Sequence, residues 1–212
     1  MEQRETNGSN AGDVILVVED EPDLADLYAT WLGDDYRVRT AYGGEEALDA
    51  LDEEISVVLL DRRMPDLSGD EVLEAVRERG FDCRVAMVTA VEPDFDIIAM
   101  GFDDYLVKPV SKENLRETVS NLLLRNEYAD GVQRLFSLAS KKAILESENG
   151  PADLERNEEY RELDDDLTSL RDDLDDTLAS LSHDAGLVGL YRDLGRDVED
   201  VEDAEDATDG DD

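Results

Sequence analysis

This sequence predicts an α/β fold over residues 13–125, a five-stranded parallel sheet wound on both faces, followed by an α-helical hairpin or coiled-coil segment. Three observations predict it. Apolar runs such as Val14-Ile15-Leu16-Val17-Val18 and Val57-Val58-Leu59-Leu60 are continuous rather than alternating, the pattern of strands buried on both faces of a parallel sheet. Each run is followed by apolar residues at helical spacing, the strand–helix alternation of a doubly wound sheet. Beyond residue 125 the strand runs stop and only helical spacing remains.

The elements follow in order. Residues 1–12 are polar and are expected to form a disordered leader. Val14–Val18 is the first strand. Pro22 and Asp23 then open a helix, proline being tolerated in a first turn where its missing N–H has no helical partner. Leu24, Leu27, Tyr28, Trp31 and Leu32 recur along that helix, and Gly33 ends it. Tyr36–Thr40 is a short second strand, and Gly43-Gly44 leads into a helix carrying Ala47, Leu48 and Leu51. The third strand runs through Val57–Leu60 to Asp61. Ser68 with Glu71 three residues later reads as a capping box for a third helix, with Val72, Leu73 and Val76 inward and Gly80 as its stop. Arg84–Val88 is a fourth strand, Asp94–Met100 a short helix, and Tyr105–Val107 a fifth strand. Ser111 caps a fifth helix with Leu115, Val119, Leu122 and Leu123 inward. Right-handed crossovers place the helices on both faces.

Charge narrows the function classes. Of 212 residues, 58 are Asp or Glu and 20 are Lys or Arg, a formal charge of −38. Residues 1–127 hold 31 acids and 12 bases and residues 128–212 hold 27 and 8, so each part carries −19. Acids spread over an ordinary apolar core suit a cytoplasm of very high salt, where screening is short-ranged and carboxylates keep the chain soluble. The sixteen arginines against four lysines fit the same halophilic picture. Direct nucleic-acid contact is disfavoured, because the densest bases are the pairs Arg62-Arg63 and Lys141-Lys142. Cys83 and His183 are the only cysteine and histidine, which excludes a disulfide framework and a His/Cys metal cluster. No apolar run reaches membrane-span length and no signal region opens the chain, so a cytoplasmic protein is expected.

The predicted strand ends carry the chemistry. Glu19-Asp20 follow the first strand, Asp61 the third, Thr89 the fourth and Lys108 the fifth, and in a parallel sheet these ends share one edge. Asp61 suits a carboxylate nucleophile toward phosphorus. A hard cation such as Mg2+ then has to lie between carboxylate and phosphoryl group, with Asp20 and Asp61 as direct oxygen ligands, Glu19 through water and a backbone carbonyl beside them. Lys108 and Thr89 can neutralise and hydrogen-bond phosphoryl oxygens. The plainer alternative is a structural Asp61–Lys108 ion pair among acids that merely begin loops.

These motifs resemble the receiver domain of two-component response regulators. The resemblance covers about residues 13–125: Val17-Val18-Glu19-Asp20-Glu21-Pro22, Leu60-Asp61-Arg62-Arg63-Met64-Pro65-Asp66 with Ser68-Gly69, Val88-Thr89-Ala90, and Asp103-Asp104-Tyr105-Leu106-Val107-Lys108-Pro109. It implies a flavodoxin-like sheet of order 2-1-3-4-5. It implies phosphorelay signalling in which a sensor histidine kinase phosphorylates Asp61 with Mg2+, and Arg63 gives its backbone carbonyl to the metal. Thr89, Ala90 and Lys108 would hold the phosphoryl group, and Thr89 and Tyr105 would act as the switch. The Arg63 side chain occupies the family's variable position beside the site and is expected to tune acyl-phosphate lifetime. Trp31 reads as core, Cys83 as unactivated, and His183 as a residue following a helix end.

In residues 126–182, Tyr128, Val132, Leu135, Phe136, Ala139, Ala143 and Ile144 form one amphipathic stretch, and Gly150-Pro151 break it. Tyr160, Leu163, Leu167, Leu170, Leu174, Thr177 and Leu181 then alternate by threes and fours, a coiled-coil signal. A helical hairpin or a homodimer seam is expected. The run Leu135–Glu146 resembles the HalX domain found behind receivers in haloarchaeal regulators, a likeness that brings no established activity. Gly186–Tyr191 is a short apolar patch, and residues 183–212 read as an acidic, largely disordered tail. Three functions compete: a receiver switching a helical module, with no enzyme activity beyond assisting its own phosphoryl transfer and dephosphorylation; a transcription regulator touching DNA through residues 126–182; and a phosphatase of the haloacid dehalogenase type. The last needs a second Asp two residues after Asp61, where Arg63 stands. A receiver fold serving as an unphosphorylated scaffold is a further alternative.

Overall fold

A computed structural model describes residues 12–91, 93 and 100–181. It divides into two compact units that meet in sequence at residues 123 and 124. The expected leader except Gly12, the helix over 94–100 except Met100, His183, the Gly186–Tyr191 patch and the acidic tail lie outside the described residues.

In the first unit, β1 (Val14–Val18), α1 (Pro22–Leu32), β2 (Arg37–Ala41), α2 (Gly44–Ala50), β3 (Ile55–Leu60), α3 (Gly69–Glu78) and β4 (Arg84–Thr89) alternate as predicted, and β5 (Asp104–Val107) follows. The strands form one parallel sheet in the order β2-β1-β3-β4-β5. Every residue of β1 is buried, which is why its run is continuous. Val14, Leu16, Val18, Val58, Leu60, Val85 and Met87 join Val72, Leu73 and Val76 of α3 in one core layer. Ile15, Val17, Val57, Leu59, Ala86 and Val88 join Tyr28 and Leu32 of α1 in the opposite layer, with Leu115, Val119 and Leu122. At about 1.5–3 kcal/mol for each buried aliphatic or aromatic side chain, these two layers dominate the unit's stability. Trp31 packs on the second layer with its ring 5.6 Å from that of Tyr28. Strand β2 begins at Arg37 rather than Tyr36, whose side chain is buried in the α1 layer.

The helix starts obey their caps. The Ser68 hydroxyl accepts from the Glu71 N–H, and the Glu71 carboxylate accepts from the Ser68 N–H at 2.9 Å. Ser111 Oγ accepts from the Asn114 N–H at 3.1 Å at the head of α4 (Lys112–Glu148), which starts in the first unit and ends in the second.

In the second unit, Gly150 and α5 (Pro151–Leu154) turn the chain into α6 (Glu158–Leu181). Tyr160 donates its hydroxyl to Glu146, Lys142 pairs with Asp164, and Gly131 lies against Leu174. Residue numbers rise on one helix as they fall on the other, so the hairpin is antiparallel. Leu167, Leu174 and Leu181 are buried and Tyr160, Leu163, Leu170 and Thr177 half-buried, which are the seven positions of the predicted heptad seam. A Cβ on Gly131 would stand 2.6 Å from Leu174 Cδ2, so a side chain there would make the leucine tip shift.

Candidate functional site

Parallel pairing brings the ends of β1, β3, β4 and β5 to one edge, and the backbone fixes each site residue there. Glu19 N–H donates to Ala41 C=O at 3.0 Å, Asp61 N–H to Val18 C=O at 2.9 Å, and Lys108 N–H to Thr89 C=O at 2.8 Å. Each side chain therefore leaves the sheet from a position set by its neighbouring strand, not by a free loop.

Glu19, Asp20 and Asp61 converge, each offering a carboxylate oxygen within 4.8 Å of the others. Glu19 and Asp61 are buried and Asp20 is half-buried. Lys108 Nζ bridges two of them, donating to Glu19 Oε2 and to Asp61 Oδ2 at 2.6 Å each. Burial pushes the Glu19 carboxyl above its ordinary range, and the hydrogen bond from Lys108 only partly offsets this. For Lys108 burial opposes the charge, but hydrogen bonds to Asp61 and Glu19 outweigh it and hold the ammonium above its ordinary pKa.

One atom of this cluster lacks a partner. Glu19 Oε1 is buried with no hydrogen bond, an expensive position for a carboxylate oxygen. An all-oxygen donor set with an unpaired buried oxygen fits a hard divalent cation such as Mg2+, with Glu19, Asp20 and Asp61 as the residues that would hold it.

Asp61 is further oriented from its own loop. Its Oδ1 accepts from the Arg63 N–H at 3.1 Å, while the Arg63 side chain is exposed beside the site. Gly69 closes the loop by donating its N–H to Arg62 C=O at 2.9 Å. A Cβ on Gly69 would stand 2.1 Å from the Asp61 carbonyl oxygen, so only glycine permits this approach.

Thr89 is fully buried at the end of β4 and Ala90 is exposed just after it. Thr89 and Tyr105 share a partner the sequence did not reveal. Thr89 Oγ1 accepts from the Val91 N–H at 3.4 Å, and Tyr105 Oη donates to Val91 C=O at 2.8 Å. The Tyr105 ring rests against Phe102 at 5.4 Å between centroids.

A second cluster was also missed. Asp103 is buried and pairs with Arg77 at 2.7 Å and Arg84 at 3.2 Å, and it accepts the Val85 N–H at 2.7 Å. Arg77 also donates to the carbonyls of Gly101 and Cys83. It ties α3 to the approach to β5. The only available signal was the presence of two arginines within an acidic sequence, which does not specify their partner. Burial pushes the Cys83 thiol up to about 11, in agreement with its reading as unactivated.

A 2-1-3-4-5 parallel sheet with three carboxylates, a threonine and a lysine at its carboxyl edge defines a receiver-type domain. The family models agree: the response regulator receiver domain matches residues 15–120 and the HalX domain residues 124–209. The chain belongs to the response regulators, with a receiver domain followed by a HalX domain. A candidate transcriptional regulator of Haloferax volcanii is 59% identical over 138 residues, covering 65% of this chain and 24% of that protein. The response regulator SaeR of Staphylococcus epidermidis is 30% identical over 137 residues, covering 63% of this chain and 60% of that one. The chain thus spans less than two thirds of each of these relatives. Among solved structures, a CheY-like receiver domain of Methanospirillum hungatei is 27% identical with a TM-score of 0.51, over 54% of this chain and 96% of that one. A receiver domain of Clostridium thermocellum is 32% identical with a TM-score of 0.50, over 54% and 97%. Among the described residues no helix is long and apolar enough to cross a membrane.

Proposed function

We propose that this response regulator takes a phosphoryl group on Asp61 from the phosphohistidine of a sensor kinase and transmits that state through its helical module. The observation that supports this most is Lys108 held between Asp61 and Glu19 beside the unpaired Glu19 oxygen. An Asp61 oxygen attacks phosphorus, a P–O bond forms, and the P–N bond of the donor breaks with its electrons returning to the imidazole. Lys108 offsets the negative charge, and the Arg63 N–H keeps the Asp61 carboxylate aimed. Glu19, Asp20, Asp61 and the Arg63 carbonyl would hold Mg2+, which would supply charge neutralisation for the transfer.

Thr89, Ala90 and Lys108 then hold the product. If Thr89 Oγ1 turns to the phosphoryl oxygens it leaves the Val91 N–H, and Val91 also anchors Tyr105. A shared backbone partner is a short physical link between acceptor and aromatic. The receiver boundaries are taken as 13–125, the helical module as 126–182, and the working compartment as a high-salt cytoplasm. The module's target is read as a protein, since its charge opposes direct DNA contact.

Intact-mass measurement in molar KCl with Mg2+ and a small phosphoryl donor tests the reading. Wild type should gain one phosphoryl group and Asp61→Asn none; a wild type that stays unmodified with both donor and kinase would leave a receiver fold used as a scaffold. Arg63→Asn should change the dephosphorylation rate without changing uptake.

A further inference from the structure

The acidic charge has one gap. Gly131–Leu145 is fifteen residues without a carboxylate, the longest such stretch in the chain, and it holds Arg134, Lys141 and Lys142. It lies on α4, in the helical unit. On the inner side of this part of α4, Gly131, Lys142 and the next residue after the stretch, Glu146, meet Leu174, Asp164 and Tyr160 of α6.

Among the described residues nothing covers the opposite side. Gln133, Phe136, Ser137, Ser140, Ala143, Ile144 and Ser147 are all exposed, Phe136 by 70% and Ile144 by 63%. Their spacing of three and four places them in one stripe about half a turn from the α6 contacts. The stripe keeps its chemical character, apolar, small and polar in turn, in both directions about Ser140. Phe136 and Ile144 stand four residues either side of it, Ser137 and Ala143 three, and Gln133 and Ser147 seven.

We propose that this stripe is where two copies of the chain pair, antiparallel, with Ser140 on the two-fold axis. A two-fold interface requires a surface complementary to itself. Here Phe136 and Ser137 of one copy would share a layer with Ile144 and Ala143 of the other. Small residues at the axis let the helices approach, and the apolar pairs on either side supply the buried area. Charge selects a second copy as the occupant. Two chains of −38 repel over most of their surfaces, and this stripe lets them meet without placing carboxylate against carboxylate. The result would be a four-helix bundle of two hairpins, independent of whether Asp61 is phosphorylated.

The test is sedimentation of the full chain in molar KCl without a phosphoryl donor, for wild type and for Phe136→Asp/Ile144→Asp. Both substitutions are at exposed positions, so circular dichroism should show folded helices in each. Wild type is expected at twice the monomer mass and the double variant at the monomer mass. Oxidised Ser140→Cys should cross-link to itself, whereas Gln133→Cys should cross-link only when mixed with Ser147→Cys; buried Cys83 leaves wild type as the uncross-linked control. A wild-type monomer, or a dimer that survives the double substitution, would overturn the proposal. So would a monomer whose Ser140→Cys thiol is protected from reagent, because the stripe would then be covered from within one chain.

Discussion

The two units of this molecule solve the same problem, a folded core under a highly acidic surface, in different ways. The receiver closes two apolar layers over a sheet whose central strands have almost no exposed residue. The hairpin has only a seam, and over the 24 residues of α6 just Leu167, Leu174 and Leu181 are buried. Yet α6 holds ten acids and two bases. Charge repulsion is therefore a small correction to the receiver's stability and a large one to the hairpin's. The unit with the thinner core is the one that relies on salt.

Lowering the salt should break the comparison most visibly. Glu158 and Glu162, Glu162 and Asp166, and Asp172 and Asp176 stand one turn apart on α6. Each such like-charge pair costs about 0.2–0.5 kcal/mol, and screening relaxes as the Debye length lengthens to about 10 Å near 0.1 M. Hydrogen exchange across a KCl titration should show α6 losing protection while β1 and β3 keep theirs. Simultaneous loss would mean the two units unfold as one.

Removing one acid from an ion pair should separate the units next. Asp103→Ala leaves Arg77 and Arg84 facing a site that was buried and should cost about 3–5 kcal/mol. Asp164→Ala removes an exposed partner of Lys142 and should cost under about 1 kcal/mol. Denaturant unfolding at fixed KCl measures both, and equal costs would refute the contrast.

Within the receiver, Gly69→Ala should cost about 1–3 kcal/mol by overpacking, because the new methyl collides with the Asp61 carbonyl. It should also slow phosphoryl uptake, which thermal melts and intact mass read separately. The smallest effect is expected at the α3 cap, where Ser68→Ala should cost about 1 kcal/mol. Hydrogen bonds from the Ser68 side chain and backbone hold the Glu71 carboxyl below its ordinary pKa of 4.5. A depressed folded-state value means the cap's contribution is present above that ordinary pKa and is lost as pH falls through the lowered one. Glu71→Gln should therefore flatten the acid limb of the melting-temperature profile by lowering its neutral end toward the acid one, which stays nearly unchanged.

Much of this was legible before any coordinates. The strands announced themselves because β1 and β3 are buried on both faces and so carry unbroken apolar runs. The capping box at Ser68 and Glu71 and the heptad seam of α6 were local patterns with local causes. Glu19, Asp20, Asp61, Thr89 and Lys108 could be assembled because a parallel sheet sends every strand end to one edge. The Val91 link between Thr89 and Tyr105 was invisible, since it runs through a backbone that no side-chain pattern encodes. The Asp103 cluster was invisible because Arg77 and Arg84 lie 26 and 19 residues from Asp103 in sequence and do not name their acid.

The sequence by itself thus determined the fold class, the edge where the polar residues gather and the heptad seam of α6, all consequences of period and connectivity; it did not set the hairpin's register, since Phe136, Ala143 and Ile144, read as part of the first helix's amphipathic stretch, are exposed. Tertiary structure alone decided which oxygen of Glu19 stays unpaired, that Lys108 bridges Glu19 and Asp61, and that among the described residues the Phe136–Ile144 stripe of α4 is exposed. These depend on distances between side chains from separate elements, and a distance across a fold is set by packing rather than by any one segment.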